Sequence, residues 1–260
     1  MDILHNGTIA LYHGDCLDLM HEIPDGSVDA IICDIPYGKT SCKWDVVIPF
    51  EPMWAALKRI IKPRGAIVLF GSQPFTSALV MSNPKMFRDE LIWEKSKATG
   101  HAACKIKHLK AHENVLIFAD GRVTYNPQKQ PGKPYKSPYS KHGNKYAEQQ
   151  DRAYNTGSVR YDNKDGLRYP RSILRFSDAY YKDGHYHPTQ KPVALLEYLI
   201  RTYTNEGETV LDFTFGSCTA GVAALNTKRR FIGIERDDTY YALGVQRVQT
   251  AIDNLPPRDV

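Results

Sequence analysis

Asp34-Ile35-Pro36-Tyr37 closes the run Asp29-Ala30-Ile31-Ile32-Cys33, so an apolar stretch leads straight into a carboxylate, a rigid proline and a tyrosine. A carboxylate and the next backbone carbonyl, fixed by proline, make two acceptors aimed at one point. That pair suits an exocyclic amino group, a poor nucleophile because its lone pair is delocalised into a ring. Accepting both N–H hydrogens shifts the nitrogen towards a tetrahedral state with a free lone pair. A tyrosine alongside can stack on such a ring. The plainer reading is a strand-to-turn junction in which Asp34 accepts backbone N–H bonds.

A second constellation lies near the other end. Val210-Leu211 opens a strand ending in Asp212-Phe213-Thr214-Phe215-Gly216-Ser217, a helix follows, and the strand Phe231 to Ile234 ends at Glu235. An acid about 20 residues after a small-residue turn suits hydrogen bonds from ribose hydroxyls. No Gly-Lys-Ser/Thr follows the turn and no full G-x-G-x-x-G is present, so a phosphate cradle and a dinucleotide are both disfavoured. A cofactor with ribose and no phosphate fits better. An ordinary strand-end acid is the competing reading of Glu235.

The elements that must position these residues alternate. Strands are expected at Thr8–Tyr12, Val28–Cys33, Ala66–Phe70, Leu91–Trp93 and Val115–Phe118, with helices at Pro52–Ile61 and Phe75–Met81. Val193–Tyr203, Ala220–Leu225 and Tyr240–Leu255 read as further helices. Near-continuous apolar strands separated by helices predict a doubly wound, mostly parallel α/β fold. Three segments follow: 1–120 with the tetrad, 121–186 of different composition, and 187–260 with the second constellation. The middle segment holds ten of the 16 tyrosines and 13 Lys and Arg against 6 Asp and Glu, within a chain of net charge +5. The rest is therefore slightly acidic. A solvated insertion is the plain reading, and a nucleic-acid contact lobe the sharper one.

The 260 residues are 42% hydrophobic and 24% charged, enough for one large core. No run of about 18 apolar residues predicts a membrane span, and the first residues show no secretion signal. Five scattered cysteines without a C-x-x-C pair suggest free thiols in the cytoplasm. His112-Glu113-Asn114 lacks H-E-x-x-H spacing, so no metal is expected. Lys105, Lys107, His108 and Lys110 read as a solvated face or a contact to a nucleic-acid backbone, and Lys39–Trp44 as a flap.

Taken together, the tetrad, His187-Pro188-Thr189-Gln190-Lys191-Pro192 and the Leu211–Ser217 turn resemble the β-class amino-group DNA methyltransferases, of phage type. The order, tetrad first and cofactor segment last, is that class's permuted order. The resemblance implies a Rossmann-like methyltransferase fold with an inserted target-recognition lobe at 121–186, and S-adenosylmethionine as cofactor. It implies DNA as partner, duplex by expectation, with a homodimer possible. Asp34, Ile35, Pro36 and Tyr37 would be catalytic, acting on a base flipped out of the helix. Asp15, with Cys16 beside it, would meet the cofactor's adenine. Glu235 would hold its ribose, and Asp212, Thr214, Phe215, Gly216, Ser217, Thr189 and Lys191 would lie along its methionine end. Ile35 replaces the tetrad's usual first proline. Cys218 replaces a glycine that permits positive φ, and its side chain is expected to crowd the cofactor.

The leading reading is N6 methylation of adenine, because the tetrad begins with Asp. N4 methylation of cytosine, an RNA substrate, and a silent DNA-binding scaffold are the alternatives. No Pro-Cys dipeptide is present, which argues against covalent cytosine-C5 chemistry.

Overall fold

A computed structural model of the chain describes residues 1–39, 45–136, 162–177 and 190–255. The chain divides into two compact units, Met1–Asn126 with Ser172–Val260, and Pro127–Arg171.

The larger unit is built on a nine-stranded sheet. Five strands form its parallel centre: β2 (Ile9–His13), β11 (Arg230–Glu235), β10 (Thr209–Asp212), β3 (Val28–Cys33) and β4 (Ile61–Gly71), in that spatial order. β1 (Asp2–Leu4) pairs antiparallel with β2 at one side. At the other, β6 (Lys110–Phe118) pairs antiparallel with β4 and with β5 (Phe87–Thr99), and β9 (Ile173–Arg175) lies parallel to β5. The sheet is thus mostly parallel, as the alternating elements predict.

Burial on both faces explains the apolar runs. Ala30 and Ile32 face one core, with α4 (Val193–Tyr203), α5 (Thr219–Asn226) and α6 (Asp238–Asp253). Ile31 and Cys33 face the other, with α1 (Cys16–Leu19), α2 (Phe50–Ile60) and α3 (Phe75–Ser82). Helices of the two chain halves therefore cover opposite faces, as a doubly wound fold requires. Helix α2 buries Met53, Trp54, Leu57 and Ile60 at helical spacing and ends directly in β4, before Pro63 is reached.

β3 and β10 are sequence-distant neighbours, which makes their junction the switch point where ligands bind in open α/β sheets. Asp29 ties its lower end: the carboxylate accepts Lys62 Nζ at 2.8 Å and the Thr209 amide at 2.9 Å.

In the smaller unit, β7 (Tyr135–Lys136) pairs antiparallel with β8 (Asp162–Asn163). The Arg168 guanidinium lies 4.1 Å from the Tyr135 ring centre, and Lys129 Nζ 4.7 Å from that of Tyr169. The compositional segment 121–186 is wider than this unit, because the residues of β9 return to the large sheet.

Candidate active site

The carboxyl ends of β2, β3, β4, β10 and β11 open on one cavity of ≈260 Å³. Asp34 follows β3, Asp212 ends β10, Glu235 ends β11, and Asp15 lies two residues past β2; all four line it. This is the crevice that parallel topology provides.

At the tetrad end the Asp34 carboxylate is held from two sides. The Tyr37 hydroxyl donates to Oδ1 at 2.6 Å, and the buried Lys191 ammonium bonds Oδ2. Asp34 remains a quarter exposed, on the cavity side. Burial pushes its pKa up, and the Lys191 charge opposes that rise. Lys191 also lies 3.3 Å from Glu113, whose other oxygen bonds Lys95. Burial would raise the Glu113 pKa, but Lys191 and Lys95 outweigh it and hold the carboxyl below its usual range. Asp34, Lys191, Glu113 and Lys95 thus form a chain of alternating charge. Such a buried array persists only if each charge is paired.

The Tyr37 ring packs on Phe75 at 5.1 Å between centres, and burial raises its hydroxyl pKa well above the usual value. The hydroxyl is therefore a donor to Asp34, a use the sequence reading did not assign. Ile35 is buried, and its carbonyl takes no hydrogen bond from any described residue. The loop beyond is fixed by Asp45: Oδ1 accepts the amides of Tyr37 and Gly38, and Oδ2 that of Lys39, each at 2.8 Å. Three charge-assisted bonds to successive amides lock the backbone leaving the tetrad.

The opposite end is held mainly through backbone. Glu235 Oε2 accepts the Gly216 amide at 2.8 Å, and Oε1 those of Arg236 and Asp237 at 2.9 Å. Asp15 caps α1 by accepting the Leu17 amide at 2.8 Å. The Gly14 amide donates to the Glu235 carbonyl at 2.9 Å, which sets these two acids on adjacent strands. Thr214 bridges the ends, its hydroxyl 3.0 Å from Cys33 Sγ and donating to the Asp34 carbonyl at 3.3 Å. Asp212 accepts the Thr214 amide at 3.2 Å, and burial pushes its carboxyl up to about 7. Arg247 of α6 donates to Ser217 and Thr219, anchoring the turn from behind.

Cys218 requires a correction. Its φ is +54°, so the position does use the left-handed backbone expected of the glycine it replaces. The side chain, however, does not crowd the cavity: it is fully buried, packed where it would meet a Cβ on Gly221 or Gly244. The wall is lined by Thr214, Phe215, Gly216 and Ser217 instead. Cys16 also lines the cavity, with burial pushing its thiol up to about 12; burial likewise raises the Cys33 and Cys218 thiols. Raised thiols are poor nucleophiles, which agrees with non-covalent chemistry.

Of the residues singled out in the sequence, Asp15, Cys16, Asp34, Ile35, Pro36, Tyr37, Lys191, Asp212, Thr214, Phe215, Gly216, Ser217 and Glu235 line this one cavity. Lys191 stands at the tetrad end, with its ammonium on Asp34. Thr189, and Thr40 to Trp44 of the flap, lie outside the described residues. Sequence reasoning missed Asp45 and Lys95, and weighed Glu113 only as a metal ligand. A charge leading directly into the apolar run Val115–Phe118 was the available signal for Glu113. Nothing marked Asp45, which holds the backbone amides of Tyr37, Gly38 and Lys39.

The cavity's acids are Asp15, Asp34, Asp45, Glu113, Asp212 and Glu235, against the cations Lys39, Lys191 and Arg236. An acid-rich lining fits a cationic ligand with hydroxyls and repels a phosphate. Comparison with known proteins agrees. DNA adenine methyltransferase YhdJ of Escherichia coli (strain K12) is 28% identical over 265 residues, covering 95% of this chain and 84% of that protein. The fold matches the M1.HpyAVI–SAM complex with a TM-score of 0.62 at 22% identity, over 95% of this chain and all of the other. It matches the cytosine-N4-specific PvuII DNA methyltransferase with a TM-score of 0.66 at 16% identity, over 97% and 90% of the two chains. Residues 28–246, which hold both ends of the cavity apart from Gly14, Asp15, Cys16 and Leu17, match the profile described as DNA methylase, so the chain belongs to the N6/N4 DNA methylase family.

Proposed function

We propose that the protein methylates the N6 amino group of adenine in duplex DNA, acting on a base turned out of the helix. The observation that carries this reading is Asp34. Its carboxylate is fixed by Lys191 and Tyr37 at the cavity's edge, and the Ile35 carbonyl follows it with no described partner. Bound S-adenosylmethionine supplies an electrophilic methyl on a sulfonium. Its charge suits the acid-rich lining, in which Asp15 would meet its adenine amine and Glu235 its ribose.

Asp34 and the Ile35 carbonyl accept the two amino hydrogens of the base and free its lone pair. Lys191 keeps the buried carboxylate ionised, and Tyr37 fixes its rotation. After transfer the nitrogen carries an excess proton. Asp34, its basicity raised by burial, is placed to accept it. Lys191 then remains paired through Glu113. Positioning and fixed charge supply the catalysis. Adenine is favoured over cytosine by the Asp-first tetrad and by the similarity to an adenine methyltransferase.

The test is transfer from methyl-labelled S-adenosylmethionine to unmethylated DNA, followed by digestion to nucleosides. Label on N6-methyladenosine is expected. Label on N4-methylcytosine would correct the base, and unlabelled DNA would overturn the reading.

A further inference from the structure

A second polar cluster lies at the rim of the cavity, beside the tetrad, and takes no part in the chemistry above. Its centre is the buried Ser72, just past β4. Lys39 Nζ donates to the Ser72 carbonyl and to Ser72 Oγ, both at 3.0 Å, and also to the Gln73 carbonyl. Lys110, the first residue of β6, donates to the same Oγ. Two ammonium groups thus share one hydroxyl oxygen. Lys107 is close enough that its charge helps to lower the Lys39 pKa, after burial and Lys110.

Like charges do not gather at a neutral oxygen without cost. Among the described residues no carboxylate bridges Lys39, Lys107 or Lys110. The acid nearest in effect, Glu113, is already committed to Lys95 and Lys191. The Lys39 ammonium is spent on three neutral acceptors, so its position is fixed while its charge is not cancelled. Lys110 spends one N–H on Ser72, which leaves two for an external acceptor. With both of its lone pairs taken, Ser72 Oγ can only donate its own hydrogen. Lys39 and Lys110 on Ser72, with the Lys107 charge in range, therefore offer donors and a surplus of positive charge with no carboxylate bridged to it among the described residues.

We propose that Lys39, Lys107, Lys110 and Ser72 hold one DNA phosphodiester, the phosphate flanking the nucleotide turned out into the cavity. The inference rests on the proposed reaction and adds where the backbone of the extruded nucleotide is gripped. Lys39 lines the same cavity as Asp34, two residues beyond Tyr37. A phosphate at Ser72 therefore lies beside the ring that Tyr37 and Asp34 address. The acid-rich interior and basic rim divide the work: the rim takes the polyanion and the interior the cationic cofactor.

The test is a set of variants assayed with labelled S-adenosylmethionine on unmethylated plasmid DNA. The double variant Lys107→Gln, Lys110→Gln is expected to raise KM for DNA by about tenfold or more. It should also reduce the slope of log KM against log salt by about one to two. Calorimetric affinity for S-adenosylmethionine should stay unchanged, which also reports folding, and Lys110→Arg should behave as the native chain. Once the methylated site is mapped, a short duplex with a methylphosphonate flanking the target base localises the contact. The neutral linkage should weaken the native protein and have little further effect on Lys110→Gln. An unchanged salt slope, or losses that add in full, overturns the proposal while the reaction stands. A native protein that labels no DNA overturns the reaction itself, and this site with it.

Discussion

The two ends of the cavity are made of different material. At the tetrad, side chains from four separated segments meet: Asp34 after β3, Lys95 on β5, Glu113 on β6 and Lys191 before α4, linked as alternating charges. At the turn, one carboxylate, Glu235, holds two stretches of backbone through three amides, those of Gly216, Arg236 and Asp237, and the left-handed conformation at Cys218 completes the bend. A side-chain network can be tuned electrostatically but fails when one partner is lost. A backbone cradle tolerates substitution better, because the peptide groups that shape it remain.

Substitutions at the two ends should differ accordingly. The largest effect is expected at Asp34→Ala, which removes an acceptor for the amine and leaves Lys191 paired to Glu113 alone. Transfer should fall by about 10³-fold or more, while calorimetric affinity for S-adenosylmethionine stays close to native. Parallel losses of both would erase the distinction between the ends. Asp45→Ala frees the amides of Tyr37, Gly38 and Lys39. The tetrad then shifts without losing a reacting group, so kcat should drop by roughly 10- to 100-fold. A rate equal to native would show that the loop is held by other means.

At the turn, Asp212→Asn should act through stability. The Asp212 carboxyl is raised to about 7 in the folded chain, so it favours folding fully only below the unfolded carboxyl value. That contribution is lost as pH rises through about 7. The amide variant keeps an oxygen for the Thr214 amide and has no such dependence. Its stability should exceed the native value at pH 8.5 by no more than about 4 kcal/mol, and the gap should shrink as pH falls below about 7 and close only near pH 4. A gap independent of pH would place the burial cost elsewhere. The smallest effect is expected at Cys218→Gly. Removing a Cβ at φ +54° relieves about 1 kcal/mol, and losing a buried thiol offsets it. Denaturant midpoints should therefore rank Cys218→Ala below Cys218→Gly, since alanine keeps the strain and loses the sulfur. The reverse order would mean that packing outweighs backbone strain here.

What could be read from the sequence follows the same division. The parallel core was legible because strands buried on both faces must be continuous apolar runs, as in Val28–Cys33 and Ala66–Phe70. The place of the tetrad, the turn and Glu235 on one cavity was legible because each is a run of a few residues at a strand end. The antiparallel β5 and β6 were less so. β5 spans 13 residues but buries only Leu91 and Trp93, so its outer positions carry no apolar signal. Lys95, Glu113 and Lys191 could not be linked at all, since their contact depends on a long crossover that brings α4 back over β3. Asp45 binds amides, which every residue type presents. Cys218 was correctly placed in a positive-φ position, but its side chain packs beside Gly221, one turn on in α5, and Gly244 of α6, a contact between helices that local sequence does not reveal.

In the proposed reaction Lys191 keeps a buried carboxylate ionised for the amine. The direct measurement is the pH dependence of single-turnover methyl transfer in the native protein and in Lys191→Met, on molecules that bind S-adenosylmethionine. Glu113 keeps Lys95 in the variant, whereas Asp34 loses its one ion-pair partner among the described residues. Its pKa, already raised by burial, must rise further. The acid limb of the profile should move to higher pH by about one unit or more, with activity partly recovered in alkaline buffer. A variant whose rate falls equally at every pH, with the acid limb unmoved, would contradict the account.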